Sequence, residues 1–453
     1  MIRSHAPRLA VWFVAGSIVV LYSHAVFYLP TPYGDQFPEI YSALTRSFGD
    51  AITDISIAPL FRPGQVVIQY LSLFIFGPNP FSNNYLQVTF LILVSLGALS
   101  LISWQDWIDA GAGITALSFL FGHHAFVSVM EAHITFSNGF VLLLMIVALH
   151  VLQSKGDLTD QFLAIIISII ALLTKEVGLI VPFTLLAGSL LGFSGVRRWT
   201  AVLLFAFLAS YVGFRVYELH GTLGLGDSPS VSERLSNVVA AQVMMVTGEP
   251  YDGKWAELLH RHLYPWRIIR ISLGLGTVAL CLIAFCLRRE AAKAFPEKQL
   301  VDAKWMLLLL GVTVASAAIA FEYTRHRFGA MALPVAFLLV YRSLRVILWR
   351  LSSGDVRAWV RVGLMTLLAV YSLGWSSRVA DGFYVVRYMG AKTMVDWIEH
   401  YDKYREQEDK VRPQSLSYLN SFFWAAEEKP WPTIQNDRSF IRLWLGDEDV
   451  MNR

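Results

Sequence analysis

Charge is scarce in this chain. Only 16% of its 453 residues are Asp, Glu, Lys or Arg, where a soluble enzyme carries about 25%. With 55% hydrophobic residues and a mean hydropathy of +0.50, the composition excludes an ordinary soluble fold. Cysteine is scarcer still. Cys281 and Cys286 share one apolar segment, where they read as packing residues rather than a disulfide framework. The chain also lacks an internal repeat, a low-complexity tract and any basic cluster of the kind that binds nucleic acid. A formal net charge of +3 adds little to that.

What the chain does have is apolar runs of membrane-crossing length, about 18 residues or more. They are continuous rather than alternating, which excludes a β-barrel. The expected fold class is therefore an all-α polytopic membrane protein. Its spans are expected at about 9–29, 84–103, 109–125, 137–153, 161–174, 177–193, 199–217, 268–287, 305–321, 328–341 and 358–377, about 11 in all. The N-terminal MIRSHAPR precedes an apolar run with no small-residue cleavage site after it, so it reads as an uncleaved first span with a cytosolic flank. The run at 64–77, fenced by Pro63 and Pro78, is too short to cross and predicts an interfacial or re-entrant helix. The run at 162–193 is too long for one span and carries Lys175 and Glu176 in its middle, which predicts two short helices meeting at a polar apex.

Lys/Arg bias sets the expected orientation. Arg3, Arg8, Arg197, Arg198, the run 288–304 and Arg342, Arg345, Arg350, Arg357 and Arg361 fall on one side, taken as the cytosol. The long polar loops 30–83 and 218–267, the loop 123–136 and the tail then face outward, so chemistry is expected on the extracytoplasmic face. The organisation expected is a transmembrane module over 1–195, a second over 196–380, and a small extracytoplasmic appendage over 381–453.

Five stretches carry candidate chemistry. In PYGDQFPEIYSAL, Asp35 and Glu39 precede and open an amphipathic helix; an isolated Asp in this position is ordinarily an N-cap. In FRPG, Arg62 opens an interfacial helix and serves either to snorkel to headgroups or to fix a phosphate. In FGHHAFVSVMEAHITFSNG, His123, His124, Glu131, His133 and Asn138 gather near a helix end. Their spacing matches no zinc signature, so no metal site or other cofactor is expected, with a divalent ion left open. Lys175 and Glu176 in LLTKEVGLIVP are expensive at membrane depth and mark function by default; a mutual salt bridge is the bland alternative, weakened because adjacent helical residues face apart. In EYTRHRFGAMALP, Arg325, His326 and Arg327 form an outward basic cluster that calls for an anionic partner. One outward carboxylate base with several cations suits transfer from a lipid-linked phosphate.

The order of these motifs resembles that of the GT-C-type glycosyltransferases, membrane enzymes that use polyprenyl-phosphate sugars, and within them the protein O-mannosyltransferase and aminoarabinose transferase branch. YGDQFPEIYSAL, FRPGQVVIQYLSLFIFGPNPF, HHAFVSVMEAHITFSNGF and LLTKEVGLIVPF carry the likeness over about residues 9–195. The resemblance implies a GT-C-like fold and an inverting transfer at the extracytoplasmic face. It implies Asp35 as catalytic base and Arg62 and Lys175 near the donor phosphate; the reading of the residues themselves adds Glu131 as a second acid and Arg325 and Arg327 as further phosphate cations. On the same reading of the residues, Glu39, His124, His133, Asn138, Glu176 and His326 are substrate-binding or accessory. The implied partners are a polyprenyl-phosphate sugar donor, undecaprenyl in a bacterial inner membrane, a lipid, glycan or protein acceptor, and membrane lipids. The chain departs from the pattern at Gln36, where many relatives place a second acid, and at Asn138. A lipid-linked glycan flippase and a catalytically degenerate partner subunit are the competing expectations.

Overall fold

The computed structural model describes residues 2–27, 47–53, 62–77, 82–131, 136–218, 267–295, 300–319, 329–354 and 356–406, with short pieces between 238 and 248. Among the described residues every regular element is helical and none is a strand. The helices are α1 (Ile2–Phe27), α2 (Phe48–Thr53), α3 (Pro63–Phe76), α4 (Ser82–Ser100), α5 (Trp107–Gly122), α6 (His124–Glu131) and α7 (Phe136–Gln153). They continue as α8 (Leu158–Thr174), α9 (Ile180–Leu190), α10 (Arg198–Glu218), α11 (Arg267–Ala291), α12 (Ala303–Ile319), α13 (Leu333–Ser352) and α14 (Ala358–Glu406).

Among the described residues four helices are long and apolar enough to cross a membrane: His5–Phe27, Ile271–Ala291, Ala330–Ser352 and Ala358–Tyr384. A fifth candidate is the pair α5 and α6, bent by 59° at His123. This is an all-α membrane protein. Each of the eleven stretches read as spans overlaps a helix, several of them shorter than a full crossing.

The architecture centres on α13. Its sequence is apolar around most of its circumference, and a helix of that kind belongs in a core. Within Ala330–Ser352, 89% of the residues of an 18-residue segment are buried, and the helix packs against α5, α11 and α12. The stretch Ala358–Tyr384 of α14 is equally a span by length but only 11% buried. Trp359, Val362, Leu367, Val370 and Leu373 stand exposed along it, as expected of a helix whose solvent is lipid. α14 runs without a break through the domain boundary expected at 381.

The turns at one end of the bundle are closed by polar side chains. Asp157 caps α8 by accepting from Asp160 N–H at 3.0 Å, while Asp160 accepts from Asp157 N–H at 3.1 Å, a reciprocal cap. Gln161 donates to Gly195 O at 2.8 Å and accepts from Thr200 Oγ1 at 2.6 Å, binding the start of α8 to the turn before α10. Arg342 and Arg345 point inward from α13. Arg342 donates to Gln153 Oε1 at 2.8 Å and lies 4.5 Å from the Trp305 ring. Two of the arginines counted toward the charge bias are thus consumed by packing.

The long run 162–193 divides at Lys175. α8 ends at Thr174, a 3-10 turn occupies Glu176–Leu179, and α9 follows. Gly178 makes the turn possible, because a Cβ there would collide with the carbonyl oxygen of Ala171.

Candidate functional site

The turn at Lys175 and the FRPG step meet in space. Pro63 opens α3 in its first turn, where the missing N–H costs nothing. The next residue, Gly64, lies against the end of α8: an added Cβ would come 2.8 Å from Thr174 Oγ1 and 2.9 Å from Thr174 Cα. Only glycine lets the two backbones approach so closely. Two motifs more than a hundred residues apart therefore share one contact.

That contact places Arg62 over Glu176. Arg62 Nε donates to Glu176 Oε1 at 2.9 Å, and Arg62 Nη2 meets Oε2 at 2.9 Å, a bidentate pair. Arg215, from α10, brings Nη2 within 3.3 Å of Oε1 and donates from Nη1 to Tyr211 OH at 3.0 Å. Glu176 is 2% exposed, Arg215 1% and Arg62 19%, so the cluster grades from a sealed base to an open tip. A carboxylate this deep persists as an ion because two guanidiniums surround it. The mutual Lys175–Glu176 bridge is not how the carboxylate is used. Lys175 stands half-buried beside it and adds a third positive charge.

α3 is inverted relative to a surface helix. Gln65, Gln69 and Ser72 fall on its buried face, and Leu71, Phe74 and Ile75 are exposed. Its 14 residues span about 21 Å. A short helix with polar residues inside and apolar residues outside suits a place in lipid beside a polar interior.

The third motif is held by a different set of bonds. His123 sits at the break between α5 and α6 with its ring fully buried, and its Nδ1 accepts from Ala125 N–H at 3.2 Å. Tyr22 OH donates to Phe121 O at 2.6 Å, satisfying a carbonyl at the same break. His124 is buried at the start of α6. Gln87 of α4 donates to Met130 O at 2.7 Å and so fixes the end of α6, where Glu131 is the last helical residue. Asn138, at the start of the expected span 137–153, is buried in the first turn of α7. Among the described residues no group of three or more His, Cys, Asp or Glu side chains is placed to hold a metal ion. Asp35, Glu39, His133, Arg325, His326 and Arg327 lie outside the described residues.

Sequence reading missed Arg215. It is a lone cation within an apolar segment, the same signal that singled out Lys175, but its place near a helix end made it look like a flank.

A second buried carboxylate lies at the opposite end of the bundle, where α5 begins. Asp109 pairs with Arg345 Nε and accepts from Ser103 Oγ at 2.6 Å. Tyr341 OH lies 3.5 Å from Asp109 Oδ1, and Arg345 stacks 4.3 Å from the Phe295 ring. Among the described residues Arg345 is the cation that meets this carboxylate.

Compared with protein-family models, curated proteins and solved structures, the chain matches none of them.

Proposed function

We propose that the protein is a membrane glycosyltransferase of the GT-C type, with about 11 crossings and its site on the extracytoplasmic face. It transfers a sugar from a polyprenyl-phosphate donor to a lipid, glycan or protein acceptor with inversion. The observation that supports this reading most is the buried Arg62–Glu176–Arg215 group with Lys175 beside it. Cations gathered at the edge of a lipid-facing helix suit a phosphate carried on a lipid. Asp35 is the general base: it takes the proton of the acceptor hydroxyl as that oxygen attacks the anomeric carbon. The bond to the phosphate oxygen then breaks, and the cations stabilise the departing polyprenyl phosphate. Arg325 and Arg327 extend the same cationic surface, and Glu131 assists the acceptor side.

The test uses purified protein in lipid nanodiscs, a labelled polyprenyl-phosphate sugar and an acceptor extract. Transfer with release of polyprenyl phosphate is expected. Asp35→Asn is expected to lower turnover by about 10²-fold or more with donor binding retained. Near-normal turnover in that variant sinks the assignment. A headgroup transporter, which uses the same cations without breaking a bond, would move the donor and release no polyprenyl phosphate.

A further inference from the structure

We propose that the start of α7 is the subsite for the donor's sugar, with Ser137 and Asn138 supplying hydrogen bonds to its hydroxyls. This rests on the reading of the protein as a transferase with a polyprenyl-phosphate sugar donor. The two residues stand in the first turn of α7 and are 0% and 4% exposed. Ser137 Oγ and Asn138 Oδ1 are sealed from solvent, and neither finds a hydrogen-bond partner among the described residues. A buried polar atom left without a partner costs stability. Two of them, on adjacent residues at one helix start, mark a place that the fold leaves for a ligand to complete.

That place is level with the turn that carries Glu176. α7 and α9 run side by side in the same direction, since Thr184 Oγ1 meets Met145 Sδ at 3.6 Å and Gly188 lies against Leu152. Glu176 comes about two turns before Thr184, and Ser137 about two turns before Met145. α7 accordingly packs against the 3-10 turn Glu176–Leu179, and also against the 3-10 turn Ala330–Ala332 that leads into α13. A phosphate beside the Glu176 turn puts its sugar within reach of the start of α7. The residue types then select what binds. An amide oxygen accepts, a hydroxyl both donates and accepts, and a helix start adds N–H donors that have no partner inside the helix. Sugar hydroxyls also donate and accept, so they can satisfy all of these groups. A phosphate only accepts and would set its oxygens against the oxygen of Asn138. The charged turn thus suits the charged half of the donor, and the neutral pair suits the neutral half.

The experiment uses the full-length protein in nanodiscs. The probes are undecaprenyl phosphate alone and undecaprenyl phosphate carrying glucose, mannose or aminoarabinose. The wild-type protein is expected to bind at least one sugar-bearing probe more tightly than the bare phosphate. Asn138→Leu keeps the volume and removes the polar atoms. It is expected to weaken binding of that probe about tenfold and to leave bare undecaprenyl phosphate unaffected. Ser137→Ala is expected to act in the same way to a smaller degree. Neither substitution removes a hydrogen bond made by Ser137 Oγ or Asn138 Oδ1 among the described residues. The thermal midpoint without ligand should therefore hold or rise in both, where a residue kept for packing alone would lower it.

Equal binding of every probe by the wild-type protein overturns the proposal. So does a folded Asn138→Leu protein that binds the sugar-bearing probe normally, or one that loses bare undecaprenyl phosphate to the same degree. If Asn138→Leu does not fold, Ser137→Ala decides, with a sugar-selective loss expected and a uniform loss or none overturning it. Wild-type transfer with a donor KM that neither substitution moves removes the subsite alone. Sugar-selective binding that depends on Asn138, without any transfer, removes the transferase and keeps the subsite. A wild-type protein that binds no probe removes both.

Discussion

The two ends of the bundle each bury a carboxylate, and they bury it differently. At the α5 end, Asp109 faces Arg345, Ser103 and Tyr341. At the α3 end, Glu176 faces Arg62 and Arg215, with Lys175 close by. In the first cluster one described cation meets the carboxylate, an aromatic ring covers that cation, and neutral hydroxyls complete the set. The second sets two guanidiniums on one carboxylate, and the outer of the two is the most exposed member. A balanced cluster holds helices together and does nothing else well. A buried carboxylate shared by two guanidiniums is costly for a fold to maintain, and under the proposed function it belongs to the donor site.

The largest effect should come from backbone geometry at the α3 end. Gly178→Ala would drive a Cβ into the Ala171 carbonyl. Backbone on both sides leaves no flexible atom to yield. The 3-10 turn that presents Glu176 should open, and monodisperse protein should be lost from detergent extracts on size-exclusion chromatography. Normal recovery with normal donor binding would show that the two ends do not differ in the way described.

Next comes the balanced end. Asp109→Ala leaves Arg345 half-buried without its anion, and breaking a buried pair costs about 3–5 kcal/mol. A lowered thermal midpoint is expected, with undecaprenyl phosphate binding unchanged in the folded fraction. Weakened binding at unchanged stability would reverse the roles assigned to the two ends.

Much of the α3 end was legible in the sequence, because its parts are rule-breakers. Lys175 and Glu176 interrupt an apolar run, and Pro63 stops a short one. Those residues predicted a break at 175 and a helix near 64–77, and α8, α9 and α3 follow that plan. Pairing was not legible. Nothing local says that Arg62 reaches Glu176, since the contact depends on Gly64 meeting Thr174 across more than a hundred residues. Arg215 and Asp109 were hidden for the opposite reason. Each sits near a helix end, where a charge looks like a flank, and only packing turns it inward. The inverted face of α3 was likewise invisible to a reading by hydrophobicity alone, because its pattern is amphipathic whichever side lipid occupies.

The smallest expected effect is the sharpest probe of the balanced end. Tyr341 accepts from Ser103 N–H at 3.0 Å and donates to Ser103 O at 3.1 Å, so its hydroxyl ties α13 to the turn after α4. It also lies at the outer limit of a hydrogen bond to Asp109. Tyr341→Phe removes the hydroxyl and keeps the ring. A loss of about 0.5–1.5 kcal/mol is expected if neighbouring groups relax. Combined with Asp109→Ala, the loss should be nearly the sum of the two, because the main partners of Tyr341 are backbone atoms rather than the carboxylate. Strong coupling between the two substitutions, measured as a non-additive shift in thermal midpoint, would instead make Tyr341 a full member of the charged cluster. The α5 end would then be a network like the α3 end, and the second guanidinium on Glu176 would separate them.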